Sequence, residues 1–94
     1  MGIKGFRYNR NINVPRVWQD YIYAYSRMYY CNSSYAAVID SAIIIVASDY
    51  FTELKRVVVD GESTRKVGID YAVSERTLQR KVKRYYEQVY RMLK

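Results

Sequence analysis

The stretch of residues 34–54, SYAAVIDSAIIIVASDYFTEL, constrains the fold most, because it contains no Lys or Arg in a chain that carries 16 of them. Its apolar residues recur at helical spacing around most of the circumference, with Val38 and Ala42 on one side and Ile39 and Ile43 beside them. The spacing predicts a central helix about 30 Å long, at about 1.5 Å per residue. Because a 94-residue monomer does not easily wrap such a helix, the sequence favours a partner subunit over a helix buried within one chain.

A membrane span is a third interpretation of the same stretch. Asp40 and Asp49 interrupt the apolar run before it reaches the ~20 residues that a spanning helix needs, so we expect no membrane segment. The N-terminal residues MGIKGF match neither a signal peptide nor a myristoylation site. The single cysteine, Cys31, cannot form an internal disulfide. These features together predict a cytoplasmic protein.

The charge pattern points to a polyanionic partner. The formal net charge is +7, and the basic residues are concentrated in residues 1–31 and 55–94, which flank the acidic residues 32–54. Nucleic acid is the commonest polyanion bound by a small basic chain. An anionic membrane surface is the alternative.

Catalysis is not expected from this composition. The chain has no His and one Cys, so it lacks the usual general base and the ligands of a typical metal site. We therefore expect a protein that is not an enzyme and that uses no metal, no cofactor and no small-molecule substrate.

Residues 3–14, IKGFRYNRNINV, alternate between apolar and polar side chains for much of their length. Phe6, Tyr8 and Ile12 share one side, and this period of two predicts a short strand. Arg10 falls on the apolar side, which places it near the end of any paired segment. The other side consists of side chains that can bond base edges, namely Arg7, Asn9, Asn11 and Asn13.

A first helix is predicted from Asn13, as its cap, through Pro15 to about Tyr30, because apolar residues recur there by threes and fours. A short polar turn follows it. Ser33 or Ser34 is then predicted to cap the central helix, which would leave free backbone amides pointing out of its N-terminus.

The predicted elements of the first half follow a definite order. They are a short basic strand, Pro at the first helix start, a polar turn, Ser opening a second helix, and VIDSAI at residues 38–43. Residues 6–52 thereby resemble the ribbon-helix-helix family of DNA-binding proteins. The resemblance implies an intertwined homodimer whose paired strands enter the major groove. It also implies base contacts from Asn9, Asn11 and Asn13, a backbone contact from Arg7, and a phosphate held by the amides of Ser33, Ser34 and Tyr35. A basic arm followed by a helical hairpin is the alternative.

A second pattern occupies residues 63–83, STRKVGIDYAVSERTLQRKVK. Val67 and Gly68 fit a helix that another helix crosses closely, Ala72 stands in a turn, and Ser74 is placed to cap the next helix. The segment resembles a helix-turn-helix, in which Gly usually occupies the Ala72 position. The resemblance implies contacts with bases and phosphates from Ser74, Glu75, Arg76, Thr77, Gln79, Arg80, Lys83 and Arg84. A basic, solvated helix face is the alternative.

The segment after Leu54, KRVVVDGES, is the predicted boundary between a module of residues 1–54 and a basic helical module of residues 55–94. Its valines either extend the central helix or form a short strand, and Asp60-Gly61 is a turn. The last helix is longer than a DNA groove requires. Its apolar residues recur by fours and threes, which suits packing along its length on the central helix or on its mate in a dimer; they are Leu78, Val82, Tyr85, Val89 and Met92.

The sequence as a whole predicts a mainly α-helical homodimer with a short N-terminal strand, about four helices and a long central helix. We expect it to bind double-stranded DNA with sequence preference, as a small transcriptional repressor or a plasmid partition-type protein, and we favour the N-terminal ribbon slightly as the base reader. The alternative is a basic helical interaction protein that binds RNA, single strands or an acidic protein. The 12 Tyr residues suit the edges of a helical core, and stacking on single-stranded bases is their other interpretation.

Overall fold

The computed structural model describes residues 13–94, and this part of the chain is mainly helical, as the sequence predicts. No strand occurs within it; the predicted strand over residues 3–14 lies almost wholly outside the described residues. The helices are α1 Arg16–Ser26, α2 Ser33–Ala47, α3 Phe51–Val58, α4 Thr64–Tyr71 and α5 Glu75–Leu93, with a 3-10 turn at Ser48–Tyr50.

The long central helix is present, but it is interrupted. Ala47 leaves the helical conformation with φ −160° and ψ 54°, and the 3-10 turn follows before α3 begins. Ser48 and Asp49 stand at this break, and both side-chain types compete with the backbone for hydrogen bonds in a helix interior. The helical segment then continues through Lys55 and Arg56 and ends at Val58.

Two predicted helix caps are wrong. Pro15 rather than Asn13 occupies the cap position of α1, without a side-chain bond, and this helix ends at Ser26 instead of near Tyr30. Asn32, and neither of the following serines, caps α2. Its extended backbone (φ −161°, ψ 137°) directs its Oδ1 to the backbone N–H of Ser34, at 2.8 Å.

The core forms where α2 packs on α5, with α1 and α3 closing its sides. Both predicted modules contribute to it, because Ile39 and Leu54 share one buried cluster with Val89. The hydroxyl of buried Tyr85 lies 2.7 Å from Ser26 Oγ and joins α5 to α1. Burial raises the pKa of Tyr85 above its ordinary value, and the hydrogen bond satisfies its polar atom in the core.

The segment Ser33–Val58 is long and apolar enough, by length and composition, to cross a membrane, and 22% of its most apolar window is buried. The core helix of a soluble protein passes the same test. Here Ile39, Ala42 and Ile43 are fully buried against the rest of the chain. Because length and composition fit both kinds of helix, the absence of a membrane segment stays a prediction.

Candidate nucleic-acid interface

Helices α4 and α5 are joined by a three-residue turn, 72–74, in which the first residue has the left-handed conformation. Ala72 has φ 55° and ψ 41°, and its N–H bonds the carbonyl of Ile69. The N–H of Val73 bonds the carbonyl of Gly68 at 2.8 Å. Ala72 therefore adopts the φ above zero that the helix-turn-helix pattern requires, although an alanine has a steric cost of about 1 kcal/mol or more there.

Gly68 is the point at which α4 meets the turn. A Cβ added to Gly68 would lie 2.6 Å from the carbonyl oxygen of Val73, which is a backbone atom and cannot rotate away. The requirement for a small residue at this position, inferred from the sequence, is confirmed.

Replacing Gly68 by Ala is expected to lower the stability of the protein, which is the opposite of the usual effect of this change inside a helix. A Gly→Ala change inside a helix ordinarily stabilises by roughly 0.5–1 kcal/mol. Gly68→Ala is instead expected to destabilise by about 1–3 kcal/mol, because the turn must shift to admit the methyl group. Urea unfolding measures this, with Ile69→Ala as the control, since Ile69 is 72% exposed and should change stability by less than about 0.5 kcal/mol. A more stable Gly68→Ala variant would contradict the close approach.

Most of the predicted contact residues of α5 lie on its outward side. Arg76, Gln79, Arg80 and Arg84 are exposed, whereas Thr77 and Lys83 are half-buried. The opposite side of the helix is buried at Leu78, Tyr85 and Val89. The helix thus presents a row of guanidinium groups to solvent while its apolar side holds it on the core.

The start of α5 differs in one detail from the prediction. Ser74 occupies the cap position, but its side chain makes no capping bond. Glu75 instead supplies an acidic group to the first turn, where a negative charge suits the helix dipole. Its Oε2 accepts bonds from Thr64 Oγ1 at 3.2 Å and from Gln79 Nε2 at 3.4 Å. Gln79 therefore lies along the outer surface, beside an acidic group, with an exposed side chain.

An ion-pair network attaches α4 to the end of α3. Arg56 pairs with Glu62 and, at 3.0 Å, with Asp70, and Lys66 Nζ lies 3.1 Å from Glu62 Oε1. The Arg56 guanidinium holds the pKa of Glu62 at about 2, so this carboxylate stays charged at neutral pH. Two basic groups of the second module are thus already paired within the chain, and the arginines on the outward side of α5 are better placed to meet an external anion.

The first predicted site is largely outside the described residues. Arg7, Asn9 and Asn11 fall there. Asn13 is exposed, and its backbone N–H donates to Glu87 Oε2 at 3.4 Å. Glu87 belongs to α5, so the chain enters the described structure beside that helix.

Two of the three amides of the predicted phosphate clamp at the start of α2 are hydrogen-bonded within the chain. The N–H of Ser34 bonds Asn32 Oδ1, and the N–H of Tyr35 bonds the Asn32 carbonyl at 3.1 Å. Asn32 thus occupies the donors that a phosphate would need. Ser33, the third predicted residue, is exposed.

A row of aromatic side chains was not anticipated as a unit. Successive rings of Tyr90, Trp18, Tyr21, Tyr25 and Tyr35 lie between 4.8 and 6.0 Å apart, centroid to centroid. Most pairs meet edge to face, a favourable geometry for ring quadrupoles. In the sequence, the helical spacing of residues 18, 21 and 25 was the feature from which this row could have been predicted. Tyr25, Tyr35 and Tyr90 pack half-buried at the edge of the core, whereas Tyr21 is exposed.

The apolar residues of α5 that suggested a pairing helix pack within the chain. Leu78, Tyr85 and Val89 are fully buried, and Met92 is 38% exposed. The α2 helix lies against this side of α5, so the apolar row serves the internal core. Tyr86, 5% exposed, belongs to it as well and did not follow from the heptad spacing.

A metal centre has no candidate within residues 13–94, where no group of three or more His, Cys, Asp or Glu side chains could hold an ion. Comparisons with protein-family models, with curated proteins and with solved structures find no match to this chain.

Proposed function

We propose that the protein binds double-stranded DNA with sequence preference, as a homodimer, in the manner of a small transcriptional repressor or a plasmid partition-type protein. The observation that carries the proposal is the close-packed α4–α5 pair, in which contact between Gly68 and the turn fixes α5 with its arginine row outward. This arrangement suits a helix that enters the major groove.

Within this proposal the side chains of α5 have two roles, base contacts and phosphate contacts, which depend on their position along the helix and on their chemistry. Arg76, Gln79 and Arg80 extend from its first turns, where Arg suits guanine and Gln suits adenine. Lys83 and Arg84 lie further along the helix and meet phosphates, which position the protein without reading sequence. Asn13, which belongs to the first predicted module, contacts Glu87 of α5, which supports one DNA surface shared by Asn13 and α5.

A second candidate is an interaction protein whose basic helices bind RNA, single strands or an acidic protein. One observation favours it. Val17 is 72% and Tyr21 52% exposed, and with Trp18 they line an apolar hollow on α1. Such a hollow suits a protein partner better than a duplex.

Two alanine variants test which part of the chain reads bases. Gln79→Ala is expected to lose about 1–3 kcal/mol of discrimination between operator and scrambled duplex if α5 reads bases, because one base contact per subunit disappears. Asn11→Ala is expected to do so if the N-terminal ribbon reads them. In either case non-specific affinity should hardly change. Competition binding against both duplexes measures the difference. If neither variant relaxes specificity, neither Gln79 nor Asn11 is a base contact.

A further inference from the structure

The solvent side of α2 carries no charge. The exposed residues of this helix are Ser33, Ser34, Ala37, Ser41, Ile44 and Ile45. The exposed side of α5, by contrast, is dense in arginine. An exposed helix face normally carries polar and charged groups, so this uncharged side, which we term the α2 seam, requires a separate explanation.

The α2 seam has the form of a helix-pairing surface. Ser34 and Ser41 lie seven residues apart within α2, a spacing that keeps both on one side of a helix facing a partner. Their small side chains allow a second helix to approach closely. Ile44 and Ile45 flank these serines and are 56% and 62% exposed; covering them would remove apolar surface from water.

A second copy of this chain is the occupant that the charge pattern selects. Each chain has a formal net charge of +7, so two copies repel one another through their basic surfaces. The seam lies in residues 32–54, which contain no Lys or Arg, so a symmetric pair there brings no basic groups of the two chains together. A nucleic acid or an acidic protein would require basic groups, which the seam does not offer.

The seam and the arginine row lie on opposite sides of the molecule. The buried side of α2 packs on the buried side of α5, so the exposed sides of these two helices point away from each other. The two-fold axis of a symmetric dimer lies in the plane of the interface. Rotation by 180° about it turns the second α5 to face the opposite direction from the first.

We propose that the dimer holds two separate DNA duplexes, one on each outward α5 side, and thereby bridges them. This inference rests on the proposed function, since it takes α5 as the DNA-binding helix. One straight duplex cannot contact two surfaces that face in opposite directions, so half-sites on a single palindrome would not be read by both α5 helices at once.

A bridging assay tests the proposal with the full-length chain. One duplex is fixed on beads, and a second, fluorescent duplex is added with the protein. The wild-type chain is expected to retain the fluorescent duplex, and sedimentation equilibrium at micromolar concentration is expected to show a dimer. Ile44→Asp is expected to sediment as a folded monomer, bind each duplex singly and show at least tenfold weaker retention. Because Ile44 is 56% exposed, this change leaves the internal core intact, which circular dichroism verifies.

Val17→Asp is the matched control, since it also adds a charge at an exposed aliphatic position, on α1 and outside the seam. It should dimerise and bridge like the wild type; a monomeric Val17→Asp variant beside a dimeric Ile44→Asp variant would overturn the seam assignment. A wild-type dimer that binds a duplex but never retains a second one would overturn bridging alone. Failure to bind any duplex would instead refute the proposed function.

Discussion

Duplex binding by this protein is expected to weaken about a thousandfold when monovalent salt rises from 50 to 200 mM. The estimate assumes roughly six phosphate contacts and a slope of log K against log salt near −5, because each neutralised phosphate releases condensed counterions. The exposed arginines of α5 supply the groups for such contacts. Fluorescence anisotropy with a labelled duplex, titrated at several salt concentrations, measures the slope.

A pair of charge variants makes this test specific to α5. Arg84→Gln should reduce the steepness of the slope by about one, because the variant neutralises one phosphate fewer. Lys66→Gln removes the same charge from an exposed side chain on α4. Because Lys66 is already paired with Glu62, this variant should leave the slope unchanged. A nearly flat salt dependence of the wild type would argue for a protein partner in place of nucleic acid.

Tyr85→Ala is expected to destabilise the protein by about 3–5 kcal/mol, the usual cost of removing a large buried aromatic ring. Tyr85 is the largest fully buried side chain among the described residues. A destabilisation of this size approaches the whole stability of a small domain, so the variant should be largely unfolded at 37 °C. Urea unfolding followed by far-ultraviolet circular dichroism measures the change in the free energy of unfolding.

Tyr85→Phe separates the ring from its hydroxyl. It keeps the packed ring but removes the partner of Ser26 Oγ, which still bonds the Ile22 carbonyl at 2.8 Å. The expected destabilisation is therefore only about 1 kcal/mol. Tyr30→Ala is the surface control, because Tyr30 is 72% exposed, and should lie within about 0.5 kcal/mol of the wild type. A Tyr85→Ala variant as stable as Tyr30→Ala would contradict the described core.

The turn between α4 and α5 was predictable from sequence because its causes are local. Gly68, Ala72 and Ser74 lie within seven consecutive residues, and the bond from Val73 N–H to the Gly68 carbonyl spans five. Backbone conformation and near-neighbour sterics decide such a turn. The exposure of the arginines on α5 followed in the same way from helical periodicity.

Helix ends were less predictable, because competing residues stood side by side. Asn32 and the two serines after it can all cap a helix, and only the backbone angles of Asn32 decided among them. The same choice gave the amides of Ser34 and Tyr35, which the sequence predicted to be free for a phosphate, hydrogen-bond partners within the chain.

The sequence alone determined that the chain is mainly helical, where its apolar sides lie, and that its basic groups flank a segment without Lys or Arg. Only the tertiary structure decided which apolar residues the chain buries itself. The contact between Ser26 and Tyr85 joins residues 59 positions apart, and α2 turns Ile39 inward while leaving Ile44 exposed. The physical reason is that periodicity defines the sides of a helix, whereas the packing of distant helices determines which side is covered.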